Sequence, residues 1–232
     1  MPALVADFAR FLVRPGYAAQ PMAWGRATAL LLLAVLALDV AVAEIFIRVT
    51  NVWEASAGFL PEPIEDGAPL AEKLFLALLF APVVEEALFR GWLNGQIAAL
   101  RFAAYGMGAL ALSLVTLFLS DAFAEPVGFA GLALALAGLV HWVRTRHRDT
   151  AVPARFTRHF HWFVWGSTLL FGLIHLGNFE PLTHPLGVLV VLPQTIGGLL
   201  LAYTRTRLGL RAAMAHHTAF NAVWVASEYG WW

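Results

Sequence analysis

Ala27–Ile47 reads ATALLLLAVLALDVAVAEIFI, a stretch whose only ionisable side chains are Asp39 and Glu44. As a helix it is about 30 Å long, which matches the hydrocarbon core of a bilayer and the roughly 20 apolar residues a crossing needs. Six further stretches of the same kind follow: Leu74–Leu93, Ala103–Phe123, Pro126–Val143, Phe160–Gly177, Leu186–Tyr203 and Gly209–Ser227. The whole composition agrees, with 60% hydrophobic and 13% charged residues. A water-soluble domain of this size has too little interior for that much apolar surface. The sequence therefore predicts an all-α polytopic membrane protein, a bundle of about seven transmembrane helices, or eight if one segment is split.

The remaining chain organises itself around these spans. Met1–Gly25 places Phe8, Phe11 and Leu12 near one helical face, with Arg10 and Arg14 beside them. It is expected to lie on the membrane surface. Residues 26–232 form one transmembrane domain, with the chemistry within about 74–227. One set of loops carries twelve arginines, from Arg10 and Arg14 through Arg144–Arg158 to Arg205, Arg207 and Arg211. The other set is acidic, with Glu54, Glu62, Glu65, Asp66, Glu72, Asp121, Glu125, Glu180 and Glu228 against only Arg48 and Lys73. The sets alternate between successive spans, which predicts a cytoplasmic N-terminus. Trp24, Trp53, Trp142, Trp162, Trp231 and Trp232 fall at the expected interfaces. Fifteen cationic and fifteen anionic side chains leave no net charge, so a nucleic-acid partner is not expected. With no cysteine, disulfides, thiolate metal sites and cysteine nucleophiles are excluded. The expected seat is the inner membrane of a bacterium, and the lipid bilayer is a partner.

Ionisable groups inside a membrane are costly and mark function. In PVVEEALFRG, residues 82–91, Glu85 and Glu86 point about 100° apart on a helix, so they serve different purposes. Glu86 and Arg90 have the favourable i,i+4 order for an ion pair. Glu85 is left without that partner, in the setting a general base near neutrality needs. Pro82 removes one backbone hydrogen bond just before the pair. Phe171 and His175 share a helix face, and so do His217 and Asn221. A rise of 1.5 Å per residue puts Glu85 and His217 at similar depths, roughly 14 and 12 Å from the inner edge, with His175 higher, at roughly 22 Å. Convergence of Glu85, His175 and His217 within about 4–7 Å is the geometric expectation. A carboxylate with two imidazoles can activate water directly or through Zn²⁺, with Glu85, His175 and His217 as the hypothetical ligands. The zinc-helix motif H-E-x-x-H is absent. Either His216 or His217 can be the functional histidine, and Asp39 has no assigned role.

These residues resemble the CAAX protease and bacteriocin-processing family of intramembrane peptidases, which includes the Ras-converting CAAX endopeptidases. The family pattern, Glu-Glu-x-x-x-Arg, Phe-x-x-x-His and His-x-x-x-Asn, reads here as Glu85, Glu86 and Arg90, then Phe171 and His175, then His217 and Asn221. The likeness runs in order from about Phe75 to Val225, through Gly197-Gly198, Arg205–Leu210 and Ala213. It implies hydrolysis of a peptide bond in a membrane peptide or protein, such as a CAAX-like tail, by an activated water. Glu85 would be the base and His175 would hold the water or a metal with it. His217 and Asn221 would stabilise the oxyanion, and Arg90 would hold Glu86.

Other intramembrane chemistries lack their residues. No serine sits in Gly-x-Ser-Gly, and only Asp39 is an aspartate well inside a span. The alternative from another class is a membrane binding, transport or immunity protein that uses the same polar residues as a ligand or proton path. The absence of an internal repeat speaks against a secondary transporter.

Overall fold

The computed structural model describes residues 2–64 and 67–230. Glu65, Asp66, Trp231 and Trp232 from the sequence argument lie outside the described residues. The chain is all-helical: α1 (Pro2–Val13), α2 (Arg26–Ala57), α3 (Leu70–Phe75), a π-helical turn (Leu76–Phe80), α4 (Ala81–Phe89), α5 (Ile97–Thr116), α6 (Asp121–Thr145), α7 (Ala154–Arg158), α8 (Phe160–Ile174), α9 (Leu192–Leu208) and α10 (Leu210–Glu228). Short 3₁₀ turns occupy Gly91–Asn94, His175–Asn178 and Pro185–Val191. Among the described residues, four helices are long and apolar enough to cross a membrane: Arg26–Thr50, Ile97–Thr116, Asp121–Thr145 and Pro185–Leu208. A helix also coincides with each of the other three expected stretches.

Boundaries move where local chemistry overrides hydropathy. The stretch expected at Ala103–Phe123 begins at Ile97 and ends at Thr116. It starts early because the first N–H groups find loop acceptors, Ile97 to the Ala151 carbonyl at 3.0 Å and Ala98 to Asp149 at 3.1 Å. Arg101, one turn in, pairs with the Asp149 carboxylate. The stretch expected at Leu74–Leu93 is the α3–π–α4 rod and stops at Phe89.

The chain divides into two compact units, Met1–Glu86 with Phe160–Trp232, and Ala87–His159. In the second, α5 packs on α6 through small residues. A Cβ on Gly138 would stand 2.5 Å from that of Tyr105, and one on Gly131 would stand 3.3 Å from the Ala109 carbonyl oxygen. Such close backbone approach is how helices associate where lipid removes the hydrophobic drive.

The first unit is built around α9, which packs against α1, α2, α8 and α10. Gly172 of α8 has Thr195 of α9 directly above it, and a Cβ there would meet Oγ1 at 2.0 Å. Gly197 leaves room for the Asp39 carboxylate of α2, 3.0 Å from where a Cβ would be. α1 does more than lie on a surface. Phe8 and Phe11 both pack edge-on to Tyr203 of α9, at 4.9 and 5.2 Å between centroids. Asp7 takes two hydrogen bonds from Arg207, at 2.8 and 3.0 Å.

Candidate active site

α4 contributes the two glutamates. The helix leading to it widens into a π turn, and Pro82 then arrives without an N–H. Pro82 can serve neither the carbonyl four residues back, Leu78, nor the one five back, Ala77. Those two carbonyls accept from α10 instead: Thr218 Oγ1 donates to Leu78 at 3.0 Å and Asn221 Nδ2 to Ala77 at 2.8 Å. The defect in one helix thus fixes the other, with the first anchor one residue after His217 and the second four residues after it.

His217 lies 3.1 Å through Nδ1 from Oε1 of Glu86 and 3.8 Å through Nε2 from Oε2 of Glu85. Glu86 is completely buried and Glu85 keeps about a quarter of its side chain accessible. The two carboxylates therefore take different positions around one imidazole, as their 100° separation predicts. Arg205 of α9 interacts electrostatically with Glu86. Arg90 is completely buried and closes the turn after α4, outside the helix itself.

His175 stands at the C-terminal end of α8. Its Nδ1 is 2.7 Å from the Phe171 carbonyl, in the last turn of that helix. A carbonyl only accepts, so Nδ1 carries the hydrogen and Nε2 keeps its lone pair for another group. The Phe171 ring touches both histidines, His175 at 4.6 Å and His217 at 6.0 Å between centroids. Glu85 and His217 thus meet directly, and His175 joins them through the intervening phenyl ring.

His216 turns away from this cluster. Its Nε2 is 3.2 Å from Asp39 Oδ2 and its Nδ1 is 3.1 Å from Thr204 Oγ1. Between the two adjacent histidines, His217 is the one that faces the glutamates.

Among the described residues no group of three or more His, Asp or Glu side chains is placed to hold a metal ion. One nitrogen of His217 and one of His175 already face Glu86 and the Phe171 carbonyl. Asn221, expected to face the reacting carbonyl, spends one amide hydrogen on the backbone. Sequence reasoning missed Thr218, Thr204 and Arg205. The missing Pro82 donor is the signal that could have pointed to Thr218.

A family model described as Type II CAAX prenyl endopeptidase Rce1-like matches residues 68–223 of the chain. No curated protein and no solved structure matches it.

Proposed function

The chain belongs to the Type II CAAX prenyl endopeptidase Rce1-like family, and on that premise we propose that it is an intramembrane endopeptidase that cuts a membrane-associated peptide with a water activated by Glu85. The observation that carries this reading is His217 between Glu85 and Glu86, at 3.8 and 3.1 Å, with α10 pinned to the π turn by the Thr218 and Asn221 side chains that follow it. Amide hydrolysis needs a deprotonated water, stabilisation of the tetrahedral oxygen and a proton for the departing amine.

Each requirement has a residue. Glu85 takes a proton from water as the water oxygen bonds to the carbonyl carbon. His175 holds that water through Nε2, the nitrogen opposite the one that faces the Phe171 carbonyl. The carbonyl π pair moves to oxygen, and His217, when protonated at Nε2, hydrogen-bonds the oxyanion. Glu86 orients His217 through Nδ1, much as a buried carboxylate orients an imidazole in other hydrolases. Collapse of the intermediate breaks the C–N bond, and Glu85 returns its proton to the amine. Asn221 and Arg90 keep the helices in place. A zinc-bound water is the competing version of the first step, and no part of this sequence of events is routed through a metal. The family makes a prenylated CAAX-type tail the first substrate class to try. We further assign seven spans with a cytoplasmic N-terminus, on the alternation of basic and acidic loops.

The test is cleavage of a farnesylated CAAX-tail peptide by purified protein in liposomes, read by mass spectrometry. Glu85→Ala and His217→Ala are expected to lower the rate by about 10²–10⁴-fold while the protein stays folded. Cleavage is expected to survive a zinc chelator. Undiminished cleavage by Glu85→Ala would falsify the base assignment, and loss on chelation with recovery on zinc would replace the direct route by the metal one.

A further inference from the structure

Asp39 and His216 form a second buried carboxylate–imidazole pair, one that the proposed chemistry does not use. Asp39 is 3% exposed and His216 is 0% exposed, so both are cut off from water. A charged or polar pair in a spanning helix is expensive, and it persists where it specifies something. Its hydrogen bonds can be followed atom by atom. Thr204 Oγ1 donates its single hydrogen to the Leu200 carbonyl at 3.0 Å. The same oxygen is 3.1 Å from His216 Nδ1, and it can only accept there, so Nδ1 carries a hydrogen. Nε2 then faces Asp39 Oδ2 at 3.2 Å. The Asp39 side chain sits over Gly197, where a Cβ would come within 3.0 Å of Oδ1. One imidazole on α10 is therefore hydrogen-bonded to α9 through Nδ1 and lies against the α2 carboxylate through Nε2, a contact that is an ion pair when both nitrogens carry hydrogen.

His217 is the next residue, about 100° further round the same helix. A rotation of α10 by about 10° would move an imidazole roughly 6 Å from the helix axis by about 1 Å. Displacement on that scale can cost about 10²-fold in rate. We infer that Asp39 and His216 are positioning residues, a buried clasp that sets the rotation of α10 and thereby aims His217 at Glu85 and Glu86. Asp39 lies outside residues 68–223, so the clasp brings α2 to bear on the site from beyond the segment the family model matches. The consequence for rate rests on the proposed role of His217, and the geometric claim does not.

Two readouts on the full-length protein separate these claims. The first is the low-field ring N–H resonance of His217 in histidine-labelled protein, assigned by its loss in Glu86→Gln. The clasp predicts that this resonance disappears in Asp39→Leu and stays in Asp39→Asn, whose amide can donate to His216 Nε2. The second is cleavage of the farnesylated peptide, where Asp39→Leu is expected to lower kcat by about 30–100-fold with KM within about twofold, and Asp39→Asn to recover most of it. Thr204→Val removes one of the two anchors, is expected to act in the same direction more weakly, and serves if Asp39→Leu does not fold. An unchanged His217 resonance in both Asp39→Leu and Thr204→Val overturns the clasp. So do equal losses in Asp39→Leu and Asp39→Asn, or a loss carried by KM. If the resonance shifts as expected while His217→Ala still cleaves, the clasp stands and the role proposed for His217 falls.

Discussion

A proline inside a membrane helix leaves carbonyls without donors, and in lipid no water takes their place. Here the Ala77 and Leu78 carbonyls receive Asn221 and Thr218 of α10 instead. The two helices are therefore coupled energetically through Pro82. Asn221→Ala is expected to destabilise the fold by about 1 kcal/mol, the scale of hydrogen bonds between membrane helices. In a Pro82→Ala background a restored N–H can reach one of those carbonyls, so the same substitution should cost less than half as much. Denaturation of the four proteins of that cycle in mixed detergent checks it, and equal costs in both backgrounds would show that the bond is independent of the proline. The sequence made Glu85, Glu86, His175, His217 and Asn221 stand out because each is a polar group where hydrocarbon is expected. It did not show that Asn221 faces a backbone carbonyl. That follows from the π turn at Leu76–Phe80, a one-residue change of helical pitch that no residue type announces.

At the scale of elements, the amphipathic pattern of the N-terminal segment marks an apolar face without saying what covers it. α1 uses Phe8 and Phe11 against Tyr203, and Asp7 against Arg207, whose guanidinium also lies 5.3 Å from the Phe11 ring centroid. The Arg207 hydrogen bonds hold the Asp7 carboxyl below its ordinary value of 3.8, with smaller opposition from burial. A carboxylate whose folded pKa is depressed stabilises the fold above its unfolded value, and that contribution is lost as pH falls through the folded one. Docking of α1 should therefore be insensitive to pH around neutrality and weaken only below about pH 3.8. Asp7→Asn should abolish that acid dependence and destabilise the fold at neutral pH by on the order of 1 kcal/mol. Protease protection of residues 2–13 against pH reads both effects. The α8–α9 contact gives a second prediction. Gly172→Ala would put a methyl 2.0 Å from Thr195 Oγ1 and 3.3 Å from the Thr195 Cα. Overpacking of this kind costs about 1–3 kcal/mol, and it would push the end of α8 that carries His175. Thr195→Ala in the same chain should recover part of the loss in a thermal melt, because the hydroxyl is the nearest obstacle and the backbone contact remains.

Among the described residues, four helices are both long and apolar enough to cross a membrane, and the α3–π–α4 rod, α8 and α10 are not among them. Those three carry Glu85 and Glu86, His175, and His216 with His217. α8 falls short by its length of fifteen residues, the rod is broken by the π turn, and α10 carries two histidines and an asparagine among its apolar residues. α8 has fifteen α-helical residues, about 22 Å, and the 3₁₀ turn His175–Asn178 brings the helical length to about 30 Å. Arg10 and Arg14 belong to the segment that docks on the Arg207 end of α9, while Glu62 and Glu180 meet where a backbone N–H of Glu180 bonds the Glu62 carbonyl at 2.9 Å. Residues of like sign thus gather at the same place in the fold. The chain has no cysteine, so single cysteines introduced at exposed sites report sidedness without background. With the N-terminus in the cytoplasm, Arg14→Cys and Arg148→Cys should react with a membrane-impermeant maleimide only after the cytoplasmic face is opened, and Glu62→Cys and Glu180→Cys should react in intact cells. Labelling of Arg14→Cys and Glu62→Cys from the same face would sink the alternation of loops, and with it the proposed count of seven crossings.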